Sequence, residues 1–221
     1  MERALVVGAS GGIGAALAQA LDARGAEVRR LSRRGDGLDL RDPGAVERVM
    51  GGVEGTFDLV LVATGILAPE GRQPERSLGQ IDGAGMAEVM LVNAVGPALL
   101  LRHVPRLLPR RGRSALGVLS ARVGSIGDNR LGGWHAYRAS KAALNQVVRT
   151  AAIELARSRP DAVVAALHPG TVETPFTAGY SPAHGKIAAQ EAARRLLGVL
   201  DGLRPGETGV FRDGEGREVP W

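Results

Sequence analysis

Short apolar runs along the chain alternate with segments in which apolar residues recur at helical spacing. The runs are typical of strands covered on both faces of a sheet, and the spaced segments are typical of helices that bury one face. The pattern predicts seven strands: Arg3–Val7, Glu27–Leu31, Gly37–Leu40, Asp58–Ala63, Leu116–Leu119, Ala162–Leu167 and Gly209–Phe211. It predicts helices over Gly12–Arg24, Pro43–Met50, Met86–Leu108, Tyr137–Arg157 and Glu191–Leu200, the third bent or divided at Pro97 and Pro105.

Strands that alternate with helices predict an α/β fold with a parallel sheet and helices on both faces. No linker rich in Pro, Gly or Ser divides the series, so we expect a single doubly wound, Rossmann-type domain over residues 1–221. Ligands of such folds bind beyond the carboxyl ends of the strands. The residues that follow each predicted strand are therefore the candidates for function.

Composition narrows the function classes. The 28 basic and 23 acidic residues give a net charge of +5, but the arginines are scattered and aromatic residues make up only 3%, so we expect no nucleic-acid partner. The absence of cysteine excludes disulfides and thiolate chemistry, and no His/Asp/Glu cluster has metal-ligand spacing. With no long apolar stretch and no signal-peptide layout, we expect a cytoplasmic protein without a membrane span.

A glycine-rich segment directly follows the first predicted strand. It contains Gly8, Ser10, Gly12, Ile13 and Gly14 and runs into the first predicted helix. Residues without a Cβ allow a tight turn and let backbone amides approach a phosphate, whose charge the helix N-terminus favours. The segment could be only a flexible turn, but its place between strand and helix indicates nucleotide binding.

The next strand ends predict which nucleotide is bound. After the second strand come Ser32, Arg33 and Arg34, which suit the 2′-phosphate of NADP(H) better than the 2′-hydroxyl of NAD(H). Asp36 is the residue that could reverse this preference, and the arginines could also be ordinary solvated residues. Two further segments at strand ends are candidates for the adenosine part: Asp39 and Leu40, and Ala63, Thr64 and Gly65.

Tyr137 and Lys141 stand four residues apart on one predicted helix, and hence on one helix face. A neighbouring ammonium lowers the pKa of a phenol, and such a tyrosine can exchange a proton with a substrate hydroxyl or carbonyl. An isolated pair of this kind is usually an ordinary surface pair. Here it uses one of only two tyrosines and one of only two lysines in the chain.

Taken together and in order, these motifs resemble those of the short-chain dehydrogenase/reductase family over essentially the whole chain. The residues that carry the resemblance are Gly8-x-x-x-Gly12-x-Gly14, Asp39–Leu40, Ala63–Thr64–Gly65, Asn93, Tyr137-x-x-x-Lys141 and Pro169–Gly170. The sequence around Ser120 and Tyr137 is similar to that of the C-factor-like and sniffer-like carbonyl reductase branch of the family.

The resemblance implies an NADP(H)-dependent oxidoreductase that acts on a small-molecule carbonyl or alcohol substrate. It implies that Tyr137 is the general acid/base, that Lys141 lowers its pKa and holds the nicotinamide ribose, and that Asn93 anchors a water in the proton relay. Pro169 and Gly170 would pass beside the nicotinamide, with Val172 near its carboxamide and Thr174 near the diphosphate. The resemblance also implies a substrate loop over about 173–186 and a homodimer or homotetramer.

One departure from the family pattern concerns the catalytic serine after the fifth strand. Ala121 stands at its position and cannot donate a hydrogen bond, while Ser120 would point to the opposite face of an extended chain. Ser125 is the favoured substitute, although both serines could be structural. An alternative function is therefore a nucleotide-bound signalling or scaffold protein with little or no catalysis.

Overall fold

A parallel sheet forms the centre of the computed structural model, which describes residues 2–179 and 185–221. In these residues six strands pair side by side in the order β2-β1-β3-β4-β5-β6, every pair parallel. The strands are β1 (Arg3–Val7), β2 (Glu27–Leu31), β3 (Leu59–Val62), β4 (Ser114–Leu119), β5 (Ala162–His168) and β6 (Val210–Asp213). The order reverses between β1 and β3, so the predicted doubly wound, Rossmann-type class is confirmed.

The predicted count of seven strands is wrong, because residues 37–40 form no strand. Gly37 takes a left-handed conformation at φ 71° and ends a short helix, and β1 pairs directly with β3. The alternation of Leu38 and Leu40 suggested a strand, and both side chains are indeed buried in the core. They reach the core from an irregular segment that pairs with no strand of the described chain, and the outer edge of β2 stays unpaired there.

The helices connect these strands and close over both faces of the sheet. Their bounds are α1 (Gly12–Ala23), α2 (Arg33–Asp36), α3 (Pro43–Gly51), α4 (Gly83–Met90), α5 (Gly96–Leu101), α6 (Val104–Leu107), α7 (His135–Ser158) and α8 (Ala189–Gly202). The predicted long helix is divided as its prolines indicated. A π-helical turn, Leu91–Val95, joins α4 to α5, Pro97 lies in the first turn of α5, and Pro105 lies in that of α6.

Alternate side chains of the strands feed two separate apolar clusters. On one face, Leu5 and Val7 of β1 pack with residues of α3, α5 and α7. On the other, Ala4 and Val6 pack with residues of α1 and α8. Both faces of the central strands are therefore excluded from water, which explains their continuous apolar runs.

By length and composition alone, the helical segment Gly83–Leu101 would be long enough to cross a membrane. In the fold it packs against α7 and carries the fully buried polar residue Asn93. It is therefore explained as a core segment of this domain.

Candidate active site

The glycine-rich loop lies at the carboxyl end of β1, where the strand order reverses. Gly8 has a φ of 88°, a conformation that residues with a Cβ rarely adopt, and a Cβ there would lie 2.6 Å from the carbonyl oxygen of Ala63. A Cβ on Gly14 would overlap the carbonyl oxygen of Gly8. The loop can thus exist in this shape only with glycine at both positions.

This loop presents the N-terminus of α1 without a capping side chain. Its N-cap residue is Gly11, and the first turn contains no acidic residue. The first N–H groups of a helix have no partner within the helix, and together with the helix dipole they favour an anion. Thr174 lies close to the first turn of α1, where a Cβ on Gly12 would lie 2.5 Å from the Thr174 methyl carbon. The loop, which also contains Ser10 and Ile13, therefore offers backbone N–H groups and a helix N-terminus that suit a diphosphate.

At the end of β2 the backbone turns into the short helix α2. Ser32 caps this helix, its hydroxyl accepting a hydrogen bond from the N–H of Gly35 at 2.9 Å. The carboxylate of Asp36 accepts a hydrogen bond from the N–H of Ser32 at 2.8 Å and so has a structural partner. Arg33 and Arg34 are exposed, and within the described residues neither guanidinium forms an ion pair.

Two further segments lie at this edge of the sheet, which is formed by the carboxyl ends of the strands. The carboxylate of Asp39 accepts a hydrogen bond from the N–H of Arg41 at 3.0 Å, and Leu40 is buried against Gly96. After β3, Ala63, Thr64 and Gly65 lie over the glycine loop. The Thr64 hydroxyl is buried and has no hydrogen-bond partner in the described part of the chain. An unpaired buried hydroxyl costs free energy, and a ribose hydroxyl at this place would satisfy it.

Tyr137 and Lys141 lie on the buried face of α7, as their spacing predicted. Tyr137 is 7% exposed and Lys141 is 3% exposed, and the Lys141 amine lies 6.0 Å from the centre of the Tyr137 ring. The amine donates a hydrogen bond to the carbonyl oxygen of Leu119 at the end of β4, at 2.9 Å. Tyr137 and Lys141 therefore lie inside the candidate active site and do not form a surface pair.

Burial controls the protonation of both groups in the protein alone. It raises the pKa of the Tyr137 phenol above its ordinary value and lowers the pKa of the Lys141 ammonium to about 8. The sequence predicted the opposite direction for Tyr137, on the ground that the ammonium would stabilise the phenolate. The desolvation of the phenolate outweighs that attraction here, so Tyr137 is protonated at neutral pH.

Asn93 connects this pair to the loop after β3. It lies in the π-helical turn, where its amide accepts a hydrogen bond from the N–H of Ile66 and donates one to the Ile66 carbonyl, each at 2.8 Å. The amide also donates to the hydroxyl of Ser140 at 3.0 Å, which in turn donates to the carbonyl of Tyr137 at 2.8 Å. The sequence analysis missed Ser140. Its position three residues after Tyr137, on the same face of the helix, was the signal.

The structure shows what surrounds Ala121, Ser120 and Ser125, the three residues considered for the position of the catalytic serine. Ala121 is buried in an extended conformation just after β4. The Ser120 hydroxyl donates to Asn145 at 2.5 Å, one helical turn beyond Lys141. The Ser125 hydroxyl accepts a hydrogen bond from the N–H of Asp128 at 3.1 Å and donates to the carbonyl of Trp221 at 3.4 Å. These bonds hold the loop and the last residue, and catalysis by Ser125 stays a prediction.

The segment after β5 returns over the glycine loop. Pro169 and Gly170 form its turn, with Gly170 at a φ of 80°. Val172 is buried and bridges Ile187, which closes the base of the predicted substrate loop. Tyr180 and the rest of residues 180–184 lie outside the described residues.

A cavity of about 470 Å³ opens beside the buried tyrosine. Trp134 and Phe176 lie in its wall, and their rings are 6.2 Å and 6.0 Å from that of Tyr137. Gly65 also lines the cavity, and a Cβ on it would lie 3.5 Å from the Lys141 amine. The cavity therefore reaches the residues that lie next to Tyr137 and Lys141.

Across the described residues, no group of three or more His, Asp or Glu side chains could hold a metal ion. The fold and site instead define a class, the oxidoreductases built on a doubly wound dinucleotide-binding sheet.

Within this class the family is clear. The model of the family described as short chain dehydrogenase matches residues 2–184, so the chain belongs to this family of oxidoreductases. Its members use a nicotinamide cofactor, act on small-molecule substrates and commonly form oligomers.

Individual relatives agree with this family. The chain is 40% identical over 149 residues to the C-signal protein of Myxococcus xanthus, an alignment that spans 66% of this chain and 84% of the relative. It is 30% identical over the full length of both chains to the 1-hydroxy-2-glutathionyl-2-methyl-3-butene dehydrogenase of a Rhodococcus strain.

Solved structures match over the whole chain. An NADP-bound short-chain dehydrogenase/reductase from Burkholderia multivorans is 25% identical, with a TM-score of 0.80 over 100% of this chain and 99% of that one. The carbonyl reductase Sniffer of Drosophila melanogaster has the same fold, with a TM-score of 0.84 at 22% identity over 100% of both chains.

Proposed function

We propose that the protein is an NADP(H)-dependent carbonyl reductase or alcohol dehydrogenase in which Tyr137 is the general acid/base. The observation that carries this proposal is the buried cluster of Tyr137, Lys141 and Asn93, which lies next to the cavity-lining residues Trp134, Phe176 and Gly65 and at the same edge of the sheet as the glycine-rich loop. When bound, the cofactor supplies or accepts the hydride.

The two unpaired arginines after β2 support NADP(H) over NAD(H). Arg33 and Arg34 are free to form charge-assisted hydrogen bonds with a 2′-phosphate. The acidic residue that could have held a 2′-hydroxyl, Asp36, accepts a hydrogen bond from the Ser32 backbone. A relative with bound NADP agrees with this assignment.

The protonated phenol of Tyr137 suits reduction of a carbonyl. Its proton passes to the substrate oxygen as the alcohol forms, and solvent then restores the proton. Lys141 holds the nicotinamide ribose and offsets part of the charge that develops on Tyr137, while Asn93 anchors a water of the relay. Pro169, Gly170 and Val172 place the nicotinamide, and Thr174 contacts the diphosphate.

A second candidate function is a nucleotide-bound signalling or scaffold protein. Two observations favour it: Ala121 cannot donate the hydrogen bond of the usual serine, and the relative from Myxococcus is named C-signal.

Exposed Val95 and Ile153, on the π-helical turn and on α7, are candidates for the surface of a homodimer or homotetramer, which light scattering would detect.

The test mixes the purified protein with NADPH or NADH and a panel of aldehydes, ketones and quinones. We expect carbonyl-dependent oxidation of NADPH that exceeds that of NADH. Binding of NADPH in calorimetry without turnover of any compound would favour the scaffold function. Absence of both binding and turnover would contradict each of the two functions.

A further inference from the structure

Two arginines lie in the wall of the cavity beside Tyr137, and no acidic residue of the described chain lines it. They are Arg72 and Arg76, and the amide of Gln73 lies between them along the same loop. This excess of positive charge belongs to the loop after β3. That loop is separate from the segment after β2 to which the NADP(H) phosphate is assigned.

Contacts with the buried helix fix the position of this loop. The carbonyl of Glu75 accepts a hydrogen bond from the N–H of Trp134 at 2.5 Å, and its carboxylate accepts one from the N–H of Ala136 at 3.3 Å. The N–H of Arg76 donates to the side chain of Gln80 at 2.7 Å. Glu75, the residue before Arg76, is therefore held against the start of α7, about one turn before Tyr137.

The charges of the two arginines are balanced differently. Arg72 pairs with the carboxylate of Asp82, and the N–H of Gly85 and Arg72 together lower the pKa of that carboxyl. Glu75 is engaged with the helix N-terminus. Arg76 lines the cavity as an exposed residue, and within the described residues its guanidinium forms no ion pair.

We infer that the substrate carries an acidic group, a carboxylate in the first instance, which Arg76 binds while the carbonyl lies against Tyr137. The inference rests on the proposed oxidoreductase function of the same site. The rings of Trp134 and Phe176 would hold the apolar part between these two ends. A guanidinium binds a carboxylate through paired hydrogen bonds, which also orients the substrate.

The test compares para-carboxybenzaldehyde with its methyl ester, which has a similar shape but no charge. With NADPH, the ratio of kcat/KM for the acid to that for the ester should be about ten or more, because only the acid can form charge-assisted hydrogen bonds with Arg76. Arg76→Ala should reduce this ratio by about the same factor, and Arg76→Lys should restore part of it. Arg110→Ala, an exposed arginine at the opposite edge of the sheet, should leave the ratio unchanged.

A ratio near one in the unaltered protein, or a ratio that Arg76→Ala does not change, would overturn the inference while the reductase function stands. If neither aldehyde is reduced, the reductase function fails for this pair. Binding of terephthalate, measured by calorimetry, then decides the inference separately. Binding that Arg76→Ala weakens supports it, and absence of binding contradicts it.

Discussion

The loop after β1 and the loop after β4 lie at the same edge of the sheet but differ in how fully they match their expected chemistry. In the first, Gly8 and Gly14 are required by close contacts, because a Cβ on either residue would meet backbone atoms. In the second, Ala121 occupies the place of a catalytic hydroxyl, and the nearby hydroxyls of Ser120 and Ser125 are bonded elsewhere. Under the proposed function, the glycine-rich loop thus keeps the residues expected of a cofactor site, while the substrate part would rely on Tyr137, Lys141 and Asn93.

The largest expected effect concerns the first loop. Gly14→Ala should abolish measurable NADPH binding in calorimetry and lower the melting temperature, because the new methyl group overlaps the Gly8 carbonyl. Gly198→Ala is a matched control on an exposed part of α8, where a Cβ meets no atom within 4 Å. It should bind NADPH and gain about 1 kcal/mol of stability. Normal binding by Gly14→Ala would show that the loop is not the diphosphate site.

The second effect concerns the buried amine of the substrate part. The pKa of Lys141 is lowered from 10.5 to about 8, so between these values the unfolded chain binds the proton more strongly and stability rises with pH. Relative to Lys141→Met, the free energy of unfolding should rise by about 2 kcal/mol between about pH 7.5 and about pH 9.5. Chemical denaturation without cofactor measures it, with Lys186→Met as control. A pH-independent difference would mean that the amine is solvated.

The third effect separates the two nicotinamide cofactors. Replacing Arg33 and Arg34 together by alanine should weaken NADPH binding by about tenfold to a hundredfold, because charge-assisted hydrogen bonds to the 2′-phosphate are lost. NADH binding should change much less. Replacing Arg110 and Arg111 together by alanine, at the opposite edge of the sheet, removes the same two charges and controls for net charge. Equal losses for NADPH and NADH would place the 2′-phosphate elsewhere.

The smallest effect concerns the missing serine. Ala121→Ser should raise kcat by about tenfold, roughly 1.4 kcal/mol, by adding a donor to the substrate oxygen. Ser125→Ala tests the favoured substitute, whose hydroxyl is bonded to Asp128 and Trp221: a lower melting temperature with kcat nearly unchanged would make Ser125 structural. A large fall in kcat for Ser125→Ala at unchanged stability would instead establish Ser125 as the substitute donor.

The same contrast explains what the sequence could predict. The glycine loop is contiguous and its residue types follow from local geometry, so its position and that of the Tyr137 pair were predictable. Ser140 and Arg76 were not, because their roles depend on how the π-helical turn and the loop after β3 pack against α7. The prediction of a third strand at residues 37–40 was wrong because Leu38 and Leu40 are buried in the core from a segment that pairs with no strand of the described chain. The direction of the Tyr137 pKa depends on burial, which spacing does not reveal.

The central claim is that Tyr137 transfers the proton in an NADPH-dependent reduction. The most direct measurement is the turnover of Tyr137→Phe with a carbonyl compound that the unaltered protein reduces, together with NADPH binding by calorimetry. The account predicts that kcat falls by about a hundredfold or more, while NADPH still binds and the melting temperature is retained. Turnover close to that of the unaltered protein would contradict the account.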